Sequence, residues 1–328
     1  MNDRLITVVG GSNWDMFTYT KELPKAGETI KGTDFKTSFG GKASNQCVQA
    51  ALLGSKCSII TKLSQDIFGQ NILKNYKDHN VDCSNITIVP DVPSGIATII
   101  VDSHGENEII IVGGSNATFT TTDIDNAKPT IDKSLLLLCQ LEIADEINLY
   151  ALKLAKLNKK TKTILNPSPM PKDLNLVKEL LEYVDILVVN KHEFNDLAAF
   201  DEQHKGNQNT DLKHMEEKSK SIFSRHTQLN VLIVTLGSKG QVLITRSNGC
   251  TMIESNINVV AVDTTGAGDS FLGSLAHYLV ESSNEPEYTN QKWVDCIKKA
   301  SKVAAISVTK YGTQTSYPSI KQVEDFKF

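Results

Sequence analysis

Apolar runs rich in valine, isoleucine and leucine recur along this 328-residue chain, at Leu5–Val9, Cys57–Leu63, Leu135–Leu141, Thr163–Leu165, Ile186–Val189 and Val231–Leu236. Each is followed by a polar residue or a glycine and then by a helical pattern. A strand that is apolar at nearly every position has both faces covered, as in a parallel sheet. Alternation with helices makes the repeating unit βαβ. The length suits one large α/β domain with an appendage.

Two segments break the rhythm. Residues 16–38 and 95–112 read as alternating strands around turns without helices between them, the second as a hairpin turning at His104-Gly105-Glu106-Asn107. The expected division is a main α/β unit of residues 1–15, 39–94 and 113–328, and a small β-sheet unit of residues 16–38 and 95–112. The polar stretches 201–220 and 281–290 read as solvated surface excursions.

A net charge of −4 gives no electrostatic case for nucleic acid. No apolar stretch approaches membrane-spanning length, and the start MNDRLITVVGG lacks the features of a secretory signal. The cysteines at 47, 57, 83, 139, 250 and 296 never form CxxC and read as reduced core thiols. His192-Glu193 is followed by Asp196 where a zinc-protease helix needs a second histidine. A Walker-type GxxxxGK[ST] is absent, with Lys36 at its first glycine position, and Phe271 stands at the third glycine of a dinucleotide GxGxxG.

Two segments carry chemistry. In Val262-Asp263-Thr264-Thr265-Gly266-Ala267-Gly268-Asp269-Ser270-Phe271, small residues let the backbone turn its N–H groups outward, and the helix start adds donors and partial positive charge. Such a loop suits an anion, and Asp269 stands where a general base is wanted beside it. Far upstream, Gly40-Gly41-Lys42-Ala43-Ser44-Asn45-Gln46 opens a helix with a glycine stop at Gly54. Its glycines bring backbone near a ligand, and Lys42 and Asn45 offer donors for hydroxyl groups. Ligands of open α/β sheets lie beyond the carboxyl ends of the strands. Asn13, Asp15, Gln140, Glu142, Asn166, Asn190, Glu193, Thr235, Gly237, Ser238 and Gly240 all follow apolar runs in this way. Singly, each is as well explained as a helix cap.

The two segments, in this order, resemble the ribokinase family of sugar kinases, and the resemblance runs from Val9 to about Pro318. It implies a three-layer α/β fold with a mostly parallel central sheet and a small β-sheet lid that also forms a homodimer interface. Asn13-Trp14-Asp15 resembles the family's sugar-binding Asn-x-Asp, and Gly41, Lys42, Ala43, Ser44 and Asn45 its sugar turn. Glu142 matches a carboxylate that accepts from a ribose hydroxyl. Asn190 and Glu193 match the element that organises Mg²⁺ and phosphate through water. Thr235, Leu236, Gly237, Ser238, Lys239 and Gly240 resemble the loop lining ATP, and Ser301 falls near the adenine. Asp269 resembles the catalytic base, with Gly266, Ala267 and Gly268 supplying N–H groups to the transferring phosphoryl. Asp263 and Thr265, with Ser307, Lys310, Gly312 and Ser316, match a potassium site. The sugar turn departs from the family in Ala43-Ser44, where Gly-Ala is usual, and Trp14 is bulky.

The implied activity is ATP-dependent phosphorylation of D-ribose at its 5-hydroxyl, feeding pentose phosphate and nucleotide metabolism. It needs ATP, Mg²⁺ and K⁺ and no nucleic-acid or membrane partner, and the expected compartment is the cytoplasm, with the nucleus as a second. The alternatives are deoxyribokinase, a nucleoside kinase, a fructokinase-like enzyme, or a catalytically silent sugar-binding regulator on the same fold.

Overall fold

The computed structural model of the chain describes residues 4–202, 212–283 and 289–327. From the amino end, β1 (Leu5–Val9) leads into a hairpin of β2 (Asn13–Tyr19) and β3 (Asp34–Gly40), then α1 (Lys42–Leu52). Next come β4 (Lys56–Ser64), α2 (Ile67–Asp78), β5 (Ile86–Val89) and a second hairpin of β6 (Gly95–Val101) and β7 (Asn107–Val112). Alternation then runs through α3 (Thr121–Lys133), β8 (Leu136–Gln140), α4 (Asp145–Leu157), β9 (Lys162–Asn166), α5 (Leu174–Leu181) and β10 (Ile186–Asn190). It continues with α6 (Lys191–Glu202), α7 (Leu212–Arg225), β11 (Val231–Thr235), β12 (Gly240–Thr245) and β13 (Gly249–Glu254). The chain closes with α8 (Ala267–Glu281), α9 (Asn290–Ser307) and α10 (Ile320–Asp325).

Among the described residues the strands form a nine-stranded sheet in the order β13-β12-β11-β10-β9-β8-β1-β4-β5, parallel except for β12 and β13. Successive strand residues face opposite sides, so the sheet divides two cores. Leu137, Leu165, Leu187 and Leu232 pack under α3 to α7. Ile6, Leu138, Val188 and Ile233 pack under α1, α2, α8 and α9. The result is the mostly parallel three-layer fold implied by the resemblance. Chain order runs outward in both directions from β1 and β8, which are neighbours. That reversal opens a crevice at their carboxyl ends.

The remaining strands make a four-stranded sheet, β3-β2-β6-β7. Its pairing begins at Asn13 opposite Gly40 and Gly95. The small sheet thus reaches further inward than the 16–38 span read from alternation, and it takes in Asn13, Trp14 and Asp15. The expected hairpin is present and turns at 102–106, with Asn107, read as part of the turn, already paired with Val101 in β7.

Of the two polar stretches, 203–211 and 284–288 lie outside the described residues. Residues 212–220, read as a surface excursion, belong instead to α7, which buries Met215, Ile222 and Phe223 at helical spacing. Residues 281 and 290 close α8 and open α9.

Candidate active site

The crevice is built on close backbone contact. After β1 the chain passes through Gly10–Ser12, and Gly41 folds over it with φ 88°. A side chain at 41 would put its Cβ 2.6 Å from Gly11 O, so only glycine fits. Gly40 serves a different purpose: a Cβ there would lie 2.1 Å and 2.2 Å from the Asp15 carboxylate oxygens. Asp15 therefore lies flat against bare backbone. Asn13 Oδ1 accepts from Asn116 Nδ2 (2.8 Å), while Asn116 also bonds Ser12 N and Ser12 O. Glu142, just beyond β8, accepts the Lys42 N–H through Oε2 at 2.7 Å.

Asp15, Glu142 and Asp269 gather around the Lys42 side chain. Burial pushes the Asp15 carboxyl up to about 7, and the charges of Glu142 and Asp269 add to this while Lys42 opposes it. Burial likewise lifts Glu142 to about 7 against the pull of Lys42. The Lys42 ammonium is held above its ordinary value, first by Asp269 and further by Glu142, Glu193 and Asp15, against the effect of burial. A pocket with this balance favours groups that donate hydrogen bonds to carboxylates, as sugar hydroxyls do.

On the far wall, Gly266 caps α8 in the left-handed conformation, φ 74°. Its carbonyl accepts from Tyr317 Oη at 2.9 Å, and a Cβ at 266 would meet that oxygen at 2.6 Å. Asp269 sits in the first turn, 7 % exposed. Gly266, Gly268 and Asp269 line a cavity of about 160 Å³ with Lys42, Asn166, Ser168, Asn190, Glu193 and Thr235. The Ala267 N–H, expected to face an anion, donates instead to Thr264 O at 3.2 Å. A larger cavity of about 570 Å³ lies at the opposite edge, among Leu136, Ile186, Val231, Leu279 and Trp293. Its polar groups are engaged with their neighbours, Asp185 with Lys156 and Arg246 with the carbonyls of His226 and Leu229. The smaller one is lined by the residues that the resemblance assigns to phosphoryl transfer.

Asn190 and Glu193 form a reciprocal helix cap: Asn190 Oδ1 accepts from Glu193 N, and Glu193 Oε2 from Asn190 N. The cap forms part of the cavity wall. Leu236 to Gly240 form a short turn beside Thr235, closed by Leu236 N to Gly240 O. Ser301 is not at the cavity; its hydroxyl donates to Gln241 and Ile297 within α9 and β12. Asp263 joins two distant segments, accepting from Thr265 N and Gly312 N at 2.9 Å each. Val262 N and Asp263 N both donate to Val308 O. Asp263 and Thr265 therefore stand beside the 307–316 tail. Trp14 packs edge-on against Phe39 at 5.2 Å and beside Phe68 at 5.5 Å, joining the small sheet to α2. Ser44 turns inward, its hydroxyl accepting from Gln314.

Sequence reasoning passed over Gln46, Gln314, Asn75, Tyr317 and Asn116. Asn116 is buried and holds Asn13. One signal was available. From Ala43 to Ala50 every residue of α1 is buried, including Asn45, Gln46 and Gln49. Amides on so wide a buried face need partners.

The family model described as pfkB family carbohydrate kinase matches residues 3–320. A ribokinase of Dictyostelium discoideum is 49% identical over 321 residues, covering 97% of this chain and 98% of that protein. A deoxyribokinase of Salmonella typhi is 35% identical over 321 residues, covering 98% of each. The structure of a ribokinase from Arabidopsis thaliana, solved with ribose and ATP, superposes with a TM-score of 0.82 at 28% identity, covering 98% of this chain and 99% of that one. On this likeness in sequence and in fold, the chain belongs to the pfkB family of carbohydrate kinases.

Proposed function

We propose that the chain transfers the γ-phosphoryl group of ATP to the 5-hydroxyl of D-ribose, giving D-ribose 5-phosphate and ADP. The observation that carries this reading is the Asp269 carboxylate, held at the start of α8 between the Gly266–Gly268 loop and the carboxylates of Asp15 and Glu142. Asp15, Glu142, Asn13, Gly41, Lys42 and Asn45 hold the sugar, with Ala43, Ser44 and Trp14 shaping that wall. Asp269 accepts the proton of the 5-hydroxyl as its oxygen forms the new bond to phosphorus. The bond from phosphorus to the bridging oxygen breaks, and ADP leaves with that electron pair. Gly266 and Gly268 N–H groups and the α8 dipole stabilise charge on the phosphoryl oxygens. Thr235 to Gly240 line the nucleotide, with Asn190 toward its phosphates.

The donor sets fit hard cations. Glu193 suits a magnesium ion that keeps most of its waters and lies against phosphate, supplying charge neutralisation there. Asp263, Thr265, Ser307, Lys310, Gly312 and Ser316 offer oxygen ligands suited to potassium, whose contribution is to fix the loop geometry. In the small sheet, Ile109, Ile110, Ile111 and Val112 of edge strand β7 are all about half exposed or more, as is Phe35 of β3. An apolar edge left bare on both faces favours a homodimer through this lid. Light scattering at micromolar concentration is expected to give twice the chain mass, and a monomer would remove the lid dimer.

The deciding assay is ADP release with Mg²⁺ and ATP on D-ribose, 2-deoxyribose, adenosine and fructose, in potassium and in sodium. Turnover selective for ribose and faster in potassium is expected. The Salmonella relative makes 2-deoxyribose the second candidate; preference for it would keep the mechanism and change the sugar. Sugar binding without turnover would favour a silent regulator, and indifference to the ion would remove the potassium site.

A further inference from the structure

Two arms of primary amides end on the Asp269 carboxylate. In one, Gln140 Nε2 donates to Gln46 Oε1 at 2.6 Å, and Gln46 Nε2 donates to Asp269 Oδ1 at 3.0 Å. In the other, Asn75 Nδ2 donates to Gln314 Oε1 at 2.7 Å and Gln314 Nε2 to Asn45 Oδ1 at 3.0 Å. Asn45 Nδ2 then donates to Asp269 Oδ2 at 3.0 Å. All of these side chains are buried. A primary amide has one acceptor end and one donor end. Once its oxygen is occupied, its NH₂ must point forward, so both arms are directed toward the carboxylate.

The arms differ in what else they touch. Asn45 belongs to the sugar wall in the reading above, so the donor to Oδ2 is shared with substrate. Gln46 is wholly buried, and among the described residues its side chain bonds only within the first arm. Among the described residues the oxygen of Gln140 has no hydrogen-bond partner, although a Cβ at Gly10 would sit 2.7 Å from it. The orientation of Gln140 is therefore set by its donor end. Turned over, it would set oxygen against Gln46 oxygen. The backbone under Gln46 is equally fixed: a Cβ on Gly273 of α8 would lie 2.3 Å from Gln46 O, so α1 and α8 touch there. One turn on, Ser270 Oγ donates to Gln49 Oε1, and Gln49 Nε2 donates to Pro318 O.

We propose that Gln46, held by Gln140, is a positioning residue that ties down Oδ1 of Asp269 and leaves Oδ2 as the oxygen that takes the sugar proton. A carboxylate held by one donor can swing about its terminal bond. The second donor sets its plane even when the sugar claims Asn45. A base misplaced by a fraction of an ångström loses much of its effect. The inference rests on the assignment of Asp269 as base.

The test compares Gln46→Leu, Gln140→Leu, the double variant and Asp269→Asn with the unaltered full chain. Steady-state turnover on ATP and ribose, ribose affinity by calorimetry, and kcat against pH are measured. Gln46→Leu is expected to lower kcat by about 10- to 100-fold with ribose Kd changed less than about threefold. The acid limb of kcat should move to higher pH, because a donor that favours the ionised carboxylate is gone. Gln140→Leu should give a smaller loss of the same kind and add little in the Gln46→Leu background. It keeps the test open if Gln46→Leu does not fold. Unchanged kcat in both single variants, or kcat and ribose affinity falling together with no movement of the pH limb, would overturn the positioning role. If Asp269→Asn turns over normally, the base assignment itself fails and this inference with it. If Asp269→Asn is inert and the glutamine variants are normal, only this inference fails.

Discussion

Asp269→Asn should reduce kcat by about 10³-fold or more, within the range that a positioned general base contributes. Ribose and ATP affinities should stay within a few-fold, because the variant keeps the shape of the side chain and the Gly266–Gly268 loop is untouched. The substitution removes the carboxylate proposed to take the hydroxyl proton. It also disturbs the ground state. Asp269 accepts from Gln46 Nε2 and from Asn45 Nδ2. An asparagine has one oxygen and one NH₂, so one of those donors would face another donor. Both donors are fixed by the amides behind them and cannot turn over without breaking a second bond. The ligand-free variant is therefore expected to lose about 1–3 kcal/mol of stability, read by urea denaturation. Calorimetry with each ligand and ADP release check the rest, and turnover near that of the unaltered chain would remove Asp269 as base.

That dual consequence could not be anticipated from sequence. The parallel strands were legible because burial on both faces leaves an unmistakable apolar run, as at Ile186–Val189 and Val231–Val234. The antiparallel strand β13 was not read, since Gly249–Glu254 is only partly covered and mixes polar with apolar positions, whereas β12 was missed although it is buried throughout. The edge strand β5, also half exposed, left no signal. The crevice was legible in another way: strand-end polar residues and the two glycine turns converge where β1 and β8 part company. What pattern cannot supply is the pairing of amides. Gln314 and Asn45 meet across 269 positions, and nothing in either local sequence names the other. Nor does any local pattern name the contact that the Ser301 hydroxyl makes with Gln241 between α9 and β12.

Glu142→Ala is expected to raise the ribose Kd by about 100-fold or more, the effect of removing a buried charged acceptor while its partners remain. ATP affinity should change far less, because Glu142 stands on the Lys42 side of the crevice. The pH dependence supplies the sharper check. Burial raises both Asp15 and Glu142 to about 7, from ordinary values of 3.8 and 4.5. Their contribution to stability is thus fully present below pH 4 and is lost as pH rises through 7, where both must ionise in a buried pocket. Ribose hydroxyls that donate to these carboxylates favour the ionised forms. Ribose should therefore bind more tightly as pH climbs from 6 to 8 and level off above, with protons released on binding. In Glu142→Gln the slope should fall to that of Asp15 alone. Calorimetry in buffers of different ionisation enthalpy measures the proton release directly. Equal losses of ribose and ATP affinity in Glu142→Ala, or a ribose Kd flat between pH 6 and 8, would move Glu142 out of the sugar site.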